Sequence, residues 1–112
     1  MQNIIYGKMG EEKAKEFLKN KKFKILHMNY KNSLGEIDLI AKQKQYTVFV
    51  EVKSRSSTAF GQASEAVGEH KKHKIKQVAL LFLKQNNLLD SPIRFDVIEV
   101  YESQINHIEN AF

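Results

Sequence analysis

The chain has 112 residues, 42% of them hydrophobic, and 18 Lys and Arg against 13 Asp and Glu give it a net charge of +5. That length suits one domain, residues 1–112, with a packed core, and the basic balance suits a polyanionic partner, of which nucleic acid is the common one. The absence of cysteine excludes a disulfide framework, a thiolate zinc site and a cysteine nucleophile.

The opening "MQNIIYGKMGEEK" has no apolar signal region and no small-residue cleavage site. No run of the chain approaches the ~18 apolar residues of a membrane helix, so a cytoplasmic protein without a membrane partner is expected. Gly10 to Lys22 reads as a helix, with Ala14, Phe17, Leu18 and Lys21 at helical spacing. "FKIL" begins a strand running toward Asn29, and Asn32-Ser33-Leu34-Gly35 is loop chemistry. "EIDLIA" and "YTVFVEVKS" are two strand-like runs around Lys42 to Gln45, a hairpin pattern. Ser57 to Gly61 is polar and loose. Ser64 to Asn86 reads as a long helix ending at Asn86-Asn87, and Pro92 fits the approach to the strand "IRFDVIEVY". "INHIENAF" closes the chain as a short, strand-like tail. The order α-β-β-β-α-β, then that tail, predicts an α/β domain with a central mixed sheet flanked by two helices.

The hairpin carries the chemistry. Alternate residues of a strand share a face, so Ile37, Leu39 and Ala41 are expected on one side and Glu36 and Asp38 on the other. Val48, Val50 and Val52 share a face of the next strand, with Glu51 and Lys53 opposite. A two-residue turn at Lys44-Gln45 sets Asp38 across from Glu51 and Glu36 across from Lys53. It also sets Ile37, Leu39 and Ala41 against Val52, Val50 and Val48, and a one-residue slip breaks both sets. Paired carboxylates about 5 Å apart repel and destabilise a hairpin unless a cation lies between them. Oxygen ligands without Cys or a well-placed His favour Mg²⁺ or Mn²⁺ over zinc. A lysine beside them can orient a water or stabilise charge on a phosphoryl oxygen, the parts of a metal-dependent phosphodiester hydrolysis site. The other reading is a surface ladder, Glu36 paired with Lys53 and both other acids in solvent, worth about 0–1 kcal/mol per pair.

Two helical residues bear on that choice. Lys71 falls inside the stripe Val67, Ile75, Val78 and Phe82, so it either snorkels to solvent or overhangs the acids. Glu11 lies at the edge of the Ala14/Leu18 face, while Glu12 and Glu16 point away. Arg55 and Lys42 are either phosphate contacts or solvated. Arg94 and Asp96 read as a structural pair at a sheet edge. His27, His70, His73 and His107 show no convincing metal-ligand spacing; His70 and His73, i and i+3 on a helix, either bind a metal or, beside Lys71, Lys72 and Lys74, belong to a basic, phosphate-facing helix, the favoured reading. Tyr30, Tyr46 and Phe60 either stack on bases or pack at the core's rim.

Taken together, "GEIDLIA", "VFVEVKSR", "FG…AV…K", "RFDV" and the terminal "HIENAF" resemble the UPF0102 (YraN-like) family of small bacterial proteins, from about Gly7 to Phe112. That family is similar in turn to Holliday-junction resolvases and to the PD-(D/E)XK restriction-endonuclease-like superfamily. Asp38 matches the first acid of that superfamily's signature, Glu51-Val52-Lys53 its acid-x-lysine, and Glu11 the glutamate of helix one. Ile37 stands where the wider superfamily often has proline. The resemblance implies a restriction-endonuclease-like fold, a divalent cation and a nucleic acid substrate, most simply DNA, branched or single-stranded. It implies Asp38, Glu51, Lys53 and Glu11 as catalytic residues, with the cation held by Asp38, Glu51 and the carbonyl of Val52. Lys71, Arg55, Lys74 and Glu36 are the residues expected along the nucleic acid. Two functions follow: a Mg²⁺-dependent endonuclease, or an inactive nucleic-acid-binding module on the same fold. A third reading, a protein-interaction domain, requires the acids to be paired in solvent and indifferent to metal. Junction resolution requires a homodimer, and no residue pattern specifies one.

Overall fold

The computed structural model describes residues 2–56, 60 and 67–112, without the side chains of residues 2–7. Along the described residues the order is α1 (Gln2–Asn20), β1 (Lys24–Asn32), β2 (Gly35–Gln43), β3 (Tyr46–Ser54), α2 (Glu69–Gln85), β4 (Ile93–Tyr101) and β5 (Gln104–Ile108). The strands form one five-stranded sheet, β1-β2-β3-β4-β5. Neighbours are antiparallel except β3 and β4, which run parallel. A parallel pair cannot be joined by a hairpin, and α2 occupies the crossover. The α/β class, the mixed sheet and its two helices are as predicted, and the expected tail is the edge strand β5.

Both helices end for the same reason. Lys22 and Asn87 adopt left-handed φ values of 69° and 56°. After α1, the Phe23 N–H donates to the Leu18 carbonyl at 2.9 Å and the Lys22 N–H to that of Lys19 at 2.9 Å. After α2, the Leu88 N–H reaches the Leu83 carbonyl at 2.8 Å. These bonds satisfy carbonyls that a helix end leaves without partners. Helix α1 therefore stops at Asn20 rather than Lys22, and it begins at Gln2 rather than Gly10. Gly10 does not break it, because a bare Cα is needed there: a Cβ would stand 2.4 Å from Ser54 Oγ. Helix α2 starts at Glu69, and the Ser64–Ala66 start expected for it lies outside the described residues.

Two apolar layers cover the sheet. On the α2 side, Ile75, Val78, Ala79 and Phe82 pack on Ile37, Ile40, Phe49, Phe95 and Val97. On the α1 side, Ala14 and Leu18 pack on Leu39, Ala41, Val48, Val50, Ile98 and Val100. Each Val, Leu, Ile or Phe among them contributes about 1.5–3 kcal/mol by leaving water. Ile75, Val78 and Phe82 of the expected stripe are buried on α2, while Val67, also buried, lies before the helix rather than on it; Tyr30 packs at the rim of the α2 layer, edge-on to Phe82.

The hairpin register holds from the turn to Leu39 and Val50, but the ladder ends there, short of the expected pairs Asp38–Glu51, Ile37–Val52 and Glu36–Lys53. Gln43 pairs with Tyr46 across the Lys44-Gln45 turn, Ala41 with Val48 and Leu39 with Val50. Ile37, however, lies in the α2 layer while Leu39 lies in the α1 layer. Their β1 partners divide the same way: Tyr30, opposite Ile37, belongs to the α2 layer, and Met28, opposite Leu39, to the α1 layer. Between Met28 and Tyr30, Asn29 has φ 52°, so strict alternation fails there and Ile37 does not share a face with Leu39.

A second correction concerns Arg94 and Asp96. They are ion-paired, with Arg94 Nε to Asp96 Oδ1 at 2.9 Å and Arg94 Nη2 to Asp96 Oδ2 at 3.0 Å. Yet β4 is an interior strand and Asp96 is fully buried. Beyond the end of β5 the chain's last residues lie against this half of β4, the Ala111 N–H donating to the Phe95 carbonyl at 2.7 Å.

Candidate active site

Direction along the sheet decides what meets at its end. Strand β3 finishes at Ser54, and α2 starts on its way back, so the first turn of α2 stands over the carboxyl end of β3. In open α/β sheets this end is where ligands bind. Glu51 and Lys53 lie on the α2 side of β3, the side of Phe49. Lys71 Nζ reaches Glu51 Oε1 at 2.5 Å, and Lys53 Nζ stands 3.8 Å from the same oxygen. Glu51 is almost wholly buried, whereas the Lys71 side chain is half exposed. Lys71 therefore leaves the core stripe by reaching sideways to a buried acid.

Asp38 enters from β2. The β2–β3 ladder runs up to Leu39 and Val50. Beyond it, Asp38 Oδ2 accepts the Val52 N–H at 2.8 Å, a side chain taking a strand amide. Burial, and then the Glu51 carboxylate, push the Asp38 carboxyl up to about 7, and Glu11 adds to the rise. The Val52 N–H and the Lys71 ammonium act the other way without cancelling it. Asp38, Glu51 and Glu11 thus act on one another through one field. Glu11 is brought there by Gly10, whose missing Cβ lets α1 close on Ser54 and Val52.

The two lysines are driven apart in basicity. Burial lowers the pKa of Lys53, and the neighbouring Lys71 ammonium lowers it further. For Lys71 burial also opposes the charge, but the bond to Glu51 outweighs it and the pKa is raised. A lysine with depressed basicity beside an acid held up near neutrality is the kind of perturbed pair found at functional sites.

The remaining predicted residues stand farther from these acids' partners. The Arg55 N–H donates to the Val100 carbonyl at 2.8 Å, and its Nε donates to Glu99 Oε2 at 3.2 Å. Glu36 is exposed and pairs with Lys31 at 3.8 Å rather than with Lys53. Lys74 and Lys42 are exposed. Tyr46 lies under the Arg94 guanidinium, 5.6 Å from its ring centre.

The sequence reading passed over Glu99. It is fully buried on β4 beside Lys53 in the parallel ladder, and it accepts from Asn106 Nδ2 at 2.7 Å as well as from Arg55. The signal was present: an acid inside the apolar run "IRFDVIEVY" invites the same question as Glu51 inside "TVFVEVKSR".

Among the described residues no group of three His, Cys, Asp or Glu is placed to hold a metal. Two carboxylates and a backbone carbonyl nevertheless suit Mg²⁺, which keeps several waters and binds through one or two carboxylates plus substrate phosphate. The upward shift of Asp38 comes first from burial and then from the Glu51 carboxylate, and a cation between the two acids would oppose both. Among the described residues no helix is long and apolar enough to cross a membrane.

Residues 10–100 match the uncharacterised protein family UPF0102. A UPF0102 protein of Clostridioides difficile is 51% identical over 114 residues, covering 100% of both chains. One from Caldanaerobacter subterraneus is 46% identical over 113 residues, covering 95% of this chain and 93% of that one. One from Sulfurihydrogenibium is 44% identical over 106 residues, covering 95% and 92%. The matched span holds Glu11, Asp38, Glu51, Lys53 and Lys71 together, and with relatives this similar along their whole length the chain belongs to the UPF0102 family.

Proposed function

We propose that this protein is a metal-dependent nuclease acting on nucleic acid, most simply DNA with branched or single-stranded character. The observation that carries the reading is the Asp38–Glu51 pair, a carboxyl held near 7 beside a buried acid that two lysines face. A surface ladder would leave such acids in solvent at their ordinary pKa. The net charge of +5 and the basic first turns of α2 favour a polyanion. By analogy, the order of helices and strands also suits the restriction-endonuclease-like superfamily, with fold alone deciding nothing about activity.

Asp38, Glu51 and the Val52 carbonyl would hold Mg²⁺ or Mn²⁺, and the cation when bound supplies Lewis acidity at a phosphoryl oxygen. The chain's own groups do the rest. Lys53, its proton held less tightly than in solvent, donates to the scissile phosphate or orients a water near it. Glu11 keeps the field at Asp38 negative. Lys71, at the rim, is within the same cluster and can contact a backbone phosphate. Arg55, braced by buried Glu99, stands at the end of β3 where the nucleic acid would pass.

A specific observation favours the second reading, an inactive binding module: Lys71 already neutralises Glu51, and two carboxylates are a sparse donor set. Labelled single-stranded, duplex and four-way-junction DNA, incubated with and without Mg²⁺ or Mn²⁺, separates the two. Glu51→Ala and Lys53→Ala are expected to lower the cleavage rate by about 10²-fold or more each. Cleavage surviving in both variants removes the site assignment. Binding without cleavage under either metal selects the module.

A further inference from the structure

Two ammonium groups share Glu51 Oε1, and they arrive differently. Lys53 is fixed two residues along the same strand, 3.8 Å from the oxygen. Lys71 comes from the first turn of α2 and makes the close contact at 2.5 Å. A cation in a first turn is opposed by the helix's own partial positive charge, so the Glu51 carboxylate is what holds Lys71 inward. The side chain is 48% exposed while its acid is 7% exposed. Its stem can therefore swing to solvent without disturbing the core, leaving Glu51 in place.

We propose that Lys71 is an internal counter-ion for Glu51, and that a nucleic acid phosphate draws it off, so that nucleic acid and divalent cation bind cooperatively. This rests on reading Asp38 and Glu51 as the cation's ligands. A divalent cation at Glu51 and an ammonium in contact with the same oxygen repel one another in a partly desolvated site. One has to give way, and Lys71 has both the freedom and a second acceptor in a phosphate oxygen, which takes a charge-assisted hydrogen bond. Binding of either ligand then favours the other by the same factor, as linkage requires. Without nucleic acid the site holds its own positive charge and takes up metal weakly.

The test measures Mn²⁺ binding to the full chain by electron paramagnetic resonance of the free ion, with and without a short single-stranded DNA oligonucleotide. Wild type is compared with Lys71→Met, Lys71→Arg, Lys74→Met and Glu51→Gln. Without DNA, Lys71→Met is expected to bind Mn²⁺ about tenfold more tightly than wild type, within the range of ordinary coupling. Lys71→Arg, which can still pair with Glu51, and Lys74→Met, which removes a charge on the same helix, are expected to stay within about twofold of wild type. DNA is expected to tighten Mn²⁺ binding to wild type several-fold and to leave Lys71→Met nearly unchanged. Equal Mn²⁺ affinity in wild type and Lys71→Met, or an equal gain in Lys74→Met, overturns the counter-ion role and leaves the nuclease reading standing. If neither protein takes up Mn²⁺ with or without DNA, and Glu51→Gln changes nothing, the metal site itself is wrong and both readings fall.

Discussion

Asp96 and Asp38 are both carboxylates set into apolar strands, and the protein treats them in opposite ways. Asp96 accepts from Arg94 twice, from His107 Nε2 at 2.8 Å and from the Asn110 N–H at 3.0 Å. Lys21 Nζ lies 2.8 Å from His107 Nδ1. A donating ammonium there leaves the ring proton on Nε2, facing Asp96, an assignment that follows from the network. Burial alone would raise the Asp96 pKa, but His107, Arg94 and the Asn110 N–H outweigh it and the pKa is lowered. Asp38 accepts from the Val52 N–H and faces two other acids, and its pKa rises to about 7. A buried charge that ties the chain together is fully compensated. A buried charge left short of compensation is poised to take a cation or a proton.

The largest effect separating the two is on stability. Asp96→Ala strands the Arg94 guanidinium and the His107 ring in the interior, and is expected to cost about 3–5 kcal/mol in urea unfolding. A loss under about 1 kcal/mol would mean that Asp96 is not the clamp.

Next in size is a pH dependence of opposite sign at the two residues. The raised pKa of Asp38 makes the folded state the better proton binder, so its contribution is fully present below about pH 4. It is lost as pH rises through about 7. For the metal-free protein that loss is on the order of 4 kcal/mol. Asp38→Asn keeps an acceptor for Val52 and is expected to flatten the slope, as is added Mg²⁺. Asp96, with its lowered pKa, contributes above the ordinary carboxylate range, and that contribution is lost as pH falls below it. Denaturant midpoints measured from pH 4 to pH 8 read both signs; a slope unchanged in Asp38→Asn would assign it elsewhere.

The smallest effect is the most local. Gly10→Ala gains helix propensity of about 1 kcal/mol and loses a similar amount by displacing Ser54, so net stability is expected to move by less than about 1 kcal/mol. Glu11 shifts outward with α1, and the titration midpoint of Asp38, followed by carboxyl-carbon NMR, is expected to fall toward the ordinary range. An unmoved Asp38 midpoint would show that Glu11 is not held there by the Gly10 contact.

Local pattern made the hairpin legible. Apolar alternation and charge placement together fixed the Lys44-Gln45 turn, the Leu39–Val50 register and the meeting of Asp38 with Glu51. The same rule failed at Ile37, because one left-handed residue on the neighbouring strand, Asn29, resets which face follows. The helical wheel found the angle of Lys71 but not its target, which depends on where the first turn of α2 stands over β3. Asp96 was misplaced at an edge because a strand's rank in a sheet is not written in its own residues. Its acceptors' donors, His107 and Asn110, come from a tail more than ten residues away. Glu36 found Lys31 instead of Lys53, since the antiparallel ladder of β1 and β2 sets those two side by side.

The face change within β1 and β2 has a consequence for how the molecule comes apart. Tyr30 and Ile37 at the far end of that hairpin are packed by α2, while Met28, Leu39 and Ala41 are packed by α1. One pair of strands is thus stitched through both layers, and peeling either helix away exposes apolar surface on the strands that the other helix needs. Loss of one layer drags the second with it. The acids at the end of β2 and β3 are therefore expected to keep their spacing until both layers are lost together.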